Sequence, residues 1–202
     1  MPKVVDHEQR REELAAAVWR IASRDGLDAV TIRAVANEAG WSTGALHHYF
    51  ADKEELLLFA FRIIADRVGR RVAAVGETAR DPVELVRELL AIGLPLDPGR
   101  CDETRVWFAF LGLALTRPAL ARAQGAAYGQ WRRLVASALE QAQEEGELDA
   151  AIDPMREAAG LVALVDGLAV QAMFEAGGPS AERQLELLDA RIAELQGRVS
   201  TS

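Results

Sequence analysis

Apolar residues recur along this chain three and four positions apart, the spacing of one face of an α-helix. Leu14, Val18, Ile21 and Ala22 form the first such stripe. They predict a helix over about residues 7–25, stopped by Gly26 with Leu27 as the apolar contact behind the stop. Two much shorter patterns follow, Ile32 to Glu38 and Thr43 to Tyr49, capped by Thr31 and Ser42 and parted by Gly40. Asp52, with Glu55 three residues on, has the form of a capping box and opens a long helix to about Val75. Asp81-Pro82 opens another, to about Leu94, and "PLDPGR" reads as a loop. Helices are then expected over about 102–116, 119–145, 155–175 and 181–196, the last with a stripe of Leu185, Leu188, Ile192 and Leu195. No stretch alternates as a strand does, and no repeat appears. The pattern predicts an all-α chain of about nine helices. Residues 1–52 would make a small N-terminal three-helix domain and residues 53–202 a larger helical one.

Neither short helix is long enough to stand alone in water. Two such helices hold each other in a helix-turn-helix, which needs a small residue at the crossing, a glycine at the turn and apolar residues facing a shared core. Ala36 fits the crossing and Gly40 the turn, where φ > 0 is favoured. Ile32, Val35, Ala39, Leu46 and Phe50 fit the buried positions. That leaves Thr43, Gly44, Ala45, His47 and His48 on the free face of the second helix, the face that meets the major groove in a DNA-reading unit. Thr43 and Ala45 suit thymine methyls and base edges, and Gly44 lets the backbone approach. His47 and His48 can donate to phosphate or to guanine acceptors. Tyr49 and Lys53 suit phosphates, and Thr31, Arg33 and Ser42, near the starts of the two helices, complete the DNA-facing set.

Charge argues partly the other way. The 202-residue chain has a formal net charge of −8, which taken alone disfavours nucleic acid. Yet no Asp or Glu lies between Ala39 and Ala51, and all three histidines (His7, His47, His48) fall in the first quarter. Adjacent histidines point about 100° apart on a helix and do not chelate, so no metal is expected. No nucleophile–base pair, phosphate loop or ligand cluster suggests an enzyme or a cofactor. The single cysteine, Cys101, excludes an intrachain disulfide and suits a reducing cytoplasm. The N-terminal stretch lacks the apolar core of a signal peptide. "AAGLVALVDGLAVQAMF", interrupted by Asp166, is expected to fall short of a membrane span.

The stretch "TIRAVANEAGWSTGALHHYFADKEEL" closely resembles the DNA-binding segment of TetR-family transcriptional regulators, over about residues 8–60. The T-x-x-x-x-A-x-x-A-G turn, the S-x-G-x-L helix, Tyr49-Phe50 and Lys53-Glu54 occur together at the family's spacing. Trp41 departs from it, standing where a small β-branched residue is more usual. The resemblance implies a homodimer on palindromic double-stranded operator DNA, released by a small-molecule effector bound in the C-terminal domain. "ETRVWFAFLGLALTRPALARAQGAAYGQWRRLVASALEQAQEEGEL" is more loosely similar to the BetI-type branch. That likeness makes Trp107, Phe110, Leu111, Tyr128, Trp131, Asp166, Met173 and Phe174 the expected ligand-binding residues. A cage of such rings could hold a quaternary ammonium, with Asp166 as its counter-charge or, more plainly, as a hydrogen-bonded structural acid. The last two long helices are apolar on more than one face. Leu161, Leu164, Val165 and Leu168 would serve one contact, and Val162, Ala169 and Ala172 another. The second face is either protomer core or the homodimer bundle. The competing reading is a helical interaction protein or ligand-binding module without DNA.

Overall fold

In a computed structural model, residues 3–174 and 177–197 are described. They form nine α-helices and no strand: α1 (Lys3–Asp25), α2 (Ile32–Ala39), α3 (Thr43–His47), α4 (Lys53–Thr78), α5 (Pro82–Ala91), α6 (Pro98–Ala114), α7 (Pro118–Glu144), α8 (Pro154–Phe174) and α9 (Ala181–Gln196). A short 3-10 turn, Leu27–Ala29, joins α1 to α2. Glu175, the expected end of the eighth helix, lies outside the described residues.

Three helices begin at an Asp-Pro pair, for a common reason. The aspartate oxygen takes the backbone N–H three residues on, and proline at the first helical position has no N–H to leave unpaired. Asp81 accepts from Glu84 at 2.7 Å, Asp97 from Arg100 at 3.0 Å and Asp153 from Arg156 at 3.1 Å. The second case corrects the sequence reading, because "PLDPGR" is not all loop: Pro98 starts α6. The capping box at α4 is also modified. Asp52 accepts from Glu55 N at 2.9 Å, while the Glu55 carboxylate reaches Ala51 N, one residue before the cap, at 2.8 Å.

The chain divides into two compact units. The first comprises residues 1–67 and 105–124. Leu14, Val18, Ile21, Leu27, Val35, Leu46, Phe50 and Leu56 are buried in it. The Phe50 and Phe59 rings meet at 5.1 Å. Glu38 of α2 ties back to α1 through Arg20 at 2.7 Å and Arg24 at 3.5 Å.

The second unit comprises residues 68–104 and 125–202. Its core gathers Leu89, Leu90 and Leu94 with Val135, Leu139, Leu161, Val165, Leu188, Ile192 and Leu195. Arg87–Asp189 and Arg191–Glu157 ion pairs fasten α9 to α5 and α8. By length and composition α8 is apolar enough to cross a membrane, its most apolar window having a mean hydropathy of 1.5. This corrects the expectation that it falls short, since one aspartate does not offset so many aliphatic side chains. Of its second apolar face, Val162 and Ala169 are core, 3% and 2% exposed beside Leu161, Val165 and Leu168, whereas Ala172 is only partly buried. A different stripe of α8 faces outward, through Met155, Ala159, Ala163, Val170 and Phe174.

Candidate nucleic-acid interface and ligand site

Thr31 and Ser42 spend their hydroxyls as caps. Thr31 Oγ1 accepts from Ala34 N, and Ser42 Oγ from Ala45 N, each at 3.1 Å. Between the helices Gly40 adopts φ 73°, in the left-handed region that disfavours a side chain, and Trp41 N then closes the turn on Ala36 O at 2.8 Å. Ala36 is fully buried at the crossing and Leu46 fully buried beneath α3. With the core side of α3 fixed this way, Ser42, Thr43, Gly44, His47, His48 and Tyr49 are exposed, as is Arg33 on α2. Ala45, Thr31 and Lys53 are partly buried. Lys53 Nζ also donates to Asp28 O at 3.3 Å, tying the start of α4 to the 3-10 turn. The helix is shorter than its pattern predicts, ending at His47, so Tyr49 stands just beyond it.

The predicted ligand residues fall into groups. In the first unit Trp107 stacks on Phe61 at 5.8 Å, and Phe110 meets the same ring edge-on at 5.5 Å. Phe110 is 1% exposed and closed in by packing, whereas Leu111 is only partly buried. In the second unit Tyr128 and Trp131 stack at 6.5 Å with ring planes 27° apart. Burial raises the Asp166 carboxyl above the ordinary aspartate value, and a hydrogen bond from Tyr128 pulls it partly back. Met173 is partly buried, and Phe174 is 73% exposed at the end of α8.

Trp131 is held in a way the sequence did not suggest. Its Nε1 donates to Leu89 O at 3.3 Å. The far edge of its ring lies over Gly93, where a Cβ would stand 2.6 Å from Trp131 Cη2 and 2.8 Å from Val165 Cγ1. Only glycine admits the indole there. No local pattern marks a glycine that is needed by a ring on another helix.

A shallow hollow of about 450 Å³ on the second unit is bordered by Arg80, Asp81, Val83, Glu84, Glu147 and Gln196, none of them a predicted ligand residue. Among the described residues no three His, Cys, Asp or Glu side chains gather as metal ligands.

An all-helical chain that presents a capped, glycine-turned pair of short helices with a polar outer face is a helix-turn-helix DNA-binding regulator. Residues 14–59 match the family described as bacterial regulatory proteins, tetR family, and residues 82–197 match the BetI-type transcriptional repressor, C-terminal family. The chain is 36% identical to the HTH-type transcriptional regulator PksA of Bacillus subtilis, over 87% of its own length and 84% of the relative's. It is 34% identical to the HTH-type transcriptional regulator BetI of Paraburkholderia phymatum, over 83% of each chain. Among solved structures, a transcriptional regulator from Rhodococcus sp. Rha1 is 32% identical, with a TM-score of 0.80 over 93% of this chain and 96% of that one. A regulator from Saccharomonospora viridis, solved in complex with choline, is 27% identical with a TM-score of 0.83, over 92% and 96%. The chain belongs to the TetR family of bacterial transcriptional regulators, a family of regulators and not of enzymes.

Proposed function

We propose that this regulator is a homodimeric repressor of a palindromic operator, released by a small organic cation. The observation that carries the reading is the exposed polar face of α3, set outward by a fully buried Leu46. In this reading residues 1–52 read DNA. Thr43, Ala45 and His47 meet base edges, Gly44 lets the backbone close in, and Thr31, Arg33, Ser42, His48, Tyr49 and Lys53 meet the sugar-phosphate backbone. Residues 53–202 hold the effector and the dimer contact.

The choline bound by the Saccharomonospora viridis regulator supports a compact cation as effector. In this chain Tyr128 and Trp131 offer aromatic faces, and Asp166, hydrogen-bonded to Tyr128, offers the counter-charge. The outward apolar stripe of α8, with α9, supports the dimer contact. Filling of the second unit's core by α8 supports a core helix and not a membrane span, and a regulator of transcription works in the bacterial cytoplasm.

Selection of bound duplexes from a random pool tests the reading. The parent should enrich a palindrome. Thr43→Ala and His47→Ala should relax the preference at their own base pairs, at a cost of about 1–3 kcal/mol each. Tyr49→Ala should weaken all sequences alike. If no duplex is enriched by the parent, the reading gives way to a helical interaction protein. If both variants keep the parent's motif, α3 does not read bases through these side chains.

A further inference from the structure

Two residues that flank α3 touch each other across it. Trp41 immediately precedes Ser42, the cap of α3, and Tyr49 stands just past the other end. Their rings meet edge-on at 5.6 Å with planes 66° apart, inside the range of favourable aromatic pairs. Both backbones are pinned at these points. Trp41 N donates to Ala36 O at 2.8 Å, and Tyr49 N donates to Leu46 O at 2.9 Å. The freedom that remains to Tyr49 lies in its side-chain torsions, and the indole limits them. The indole is itself held from α1, because the Arg10 guanidinium stands 5.9 Å from its centroid. Tyr49 is 37% exposed, and its hydroxyl enters no hydrogen bond among the described residues. The phenol is therefore fixed through its ring and not through its polar end.

We propose that Trp41 is the positioning residue of the Tyr49 phenol and pre-sets the Tyr49 hydroxyl as a phosphate donor at the end of α3. The proposal rests on the reading of α3 as the DNA-facing helix. A phenol on an unsupported, exposed side chain gives up rotamer freedom when it binds a phosphate, and that loss comes off the affinity. A phenol already held in one rotamer gives up little. The ring contact achieves this without using the hydroxyl, which keeps its proton for a phosphate oxygen. Trp41 needs no contact of its own with DNA for this role.

The test measures affinity for the duplex that the parent enriches, with a neutral methylphosphonate in place of one phosphate at a time. The parent should lose extra affinity at the phosphate that Tyr49 contacts. Tyr49→Phe removes only the hydroxyl. It should weaken the unmodified duplex about tenfold per bound protomer, the value of a hydrogen bond to a charged group, and lose the extra sensitivity at that phosphate. Trp41→Leu should weaken binding about fivefold per bound protomer, the ordering cost of about one side chain, and lose sensitivity at the same phosphate and no other. In a Tyr49→Phe background Trp41→Leu should change affinity by less than about twofold, because one residue acts through the other. Trp41→Phe, which keeps a ring, should retain the parent's phosphate profile. A merely structural Trp41 would weaken every duplex alike and exert its full effect in the Tyr49→Phe background. That result overturns the proposal, as does a Tyr49→Phe variant with the parent's profile. If Trp41→Leu does not fold by circular dichroism, Trp41→Met takes its place, a long side chain without a ring. Failure of both to fold overturns the proposal, because Trp41 is then needed by the fold itself. Failure of the parent to enrich any duplex would instead overturn the reading on which the proposal rests.

Discussion

Asp166 carries the most informative single charge in the second unit. Burial raises its carboxyl above the ordinary aspartate value of about 3.9, and the Tyr128 hydrogen bond offsets only part of this. The native state therefore holds that proton more tightly than the unfolded chain does. The stability this contributes is fully present below the unfolded value and is lost as pH rises through the raised folded one. Urea midpoints of the parent, minus those of Asp166→Asn, should fall across that window and flatten above it. If the proposed organic cation binds beside it, that cation favours the ionised carboxylate, so its affinity, probed with choline, should run the opposite way, strengthening as pH rises through the same window. A flat difference would mean that Asp166 is not the group titrating there. At this scale the sequence was legible where a residue's task is local. Ala36, Gly40, Thr31 and Ser42 declare a crossing, a turn and two caps within ten or so positions. Tasks set across the fold did not show: nothing near Lys53 announces its bond to Asp28 O, and nothing near Gly93 announces Trp131.

Gly93 matters because of the elements it lets approach. It lies just after α5, and the α7 indole reaches over it to donate to Leu89 O, with Val165 of α8 closing the third side. Gly93→Ala drives a methyl into both neighbours, neither of which can yield without losing its own packing. We expect a loss of about 1–3 kcal/mol, as for other over-packed interiors, read from urea unfolding, together with a changed tryptophan emission. An unchanged midpoint would mean that α5 and α7 part there at little cost. Helix existence was readable from period and caps throughout, because each stripe repeats over several turns. Ends were less so. "PLDPGR" carries both a loop signal and an Asp-Pro start, and the latter prevailed because the Asp97 carboxylate had the Arg100 N–H to cap. The two apolar faces of α8 were visible too, but not their uses, since periodicity cannot tell a core face from a contact face. Val162 and Ala169 proved to be core, and the outward stripe runs through residues whose sizes differ too much to stand out as a pattern.

For the whole molecule, operator reading demands two copies of α3 at a fixed spacing, because half-sites lie about 34 Å apart or at a multiple of that along one face of the duplex. A two-fold contact is self-complementary, so a residue near its axis is used by both protomers. In the proposed homodimer the outward stripe of α8 is the surface offered for that contact. Met155 and Val170 are 47% and 44% exposed, Ala159 and Ala163 are small enough for close approach, and the helix of 21 residues is about 30 Å long. Val170→Glu would place one carboxylate from each protomer in the contact, with no cation among the stripe residues to pair it. Burying such unpaired charges costs several kcal/mol, whereas the isolated protomer loses little, since the side chain already faces water. We therefore expect Val170→Glu to keep its helical circular dichroism while its mass by light scattering halves, and to lose most of its operator affinity because each half-site must then be bound separately. Under the proposed reading the cationic effector should still bind the monomer, but it should no longer be antagonistic to DNA to the same degree. In the proposed dimer, effector and operator would weaken each other by the same factor, and that coupling would depend on the effector preferring a form whose two α3 helices no longer fit both half-sites. A monomer has no spacing to lose. If Val170→Glu and Met155→Glu both remain dimeric at the parent's concentration, the two-fold contact lies on another face of the second unit. A Val170→Glu monomer whose DNA binding choline weakens as much as the parent's would mean that release acts within each protomer and not through their spacing.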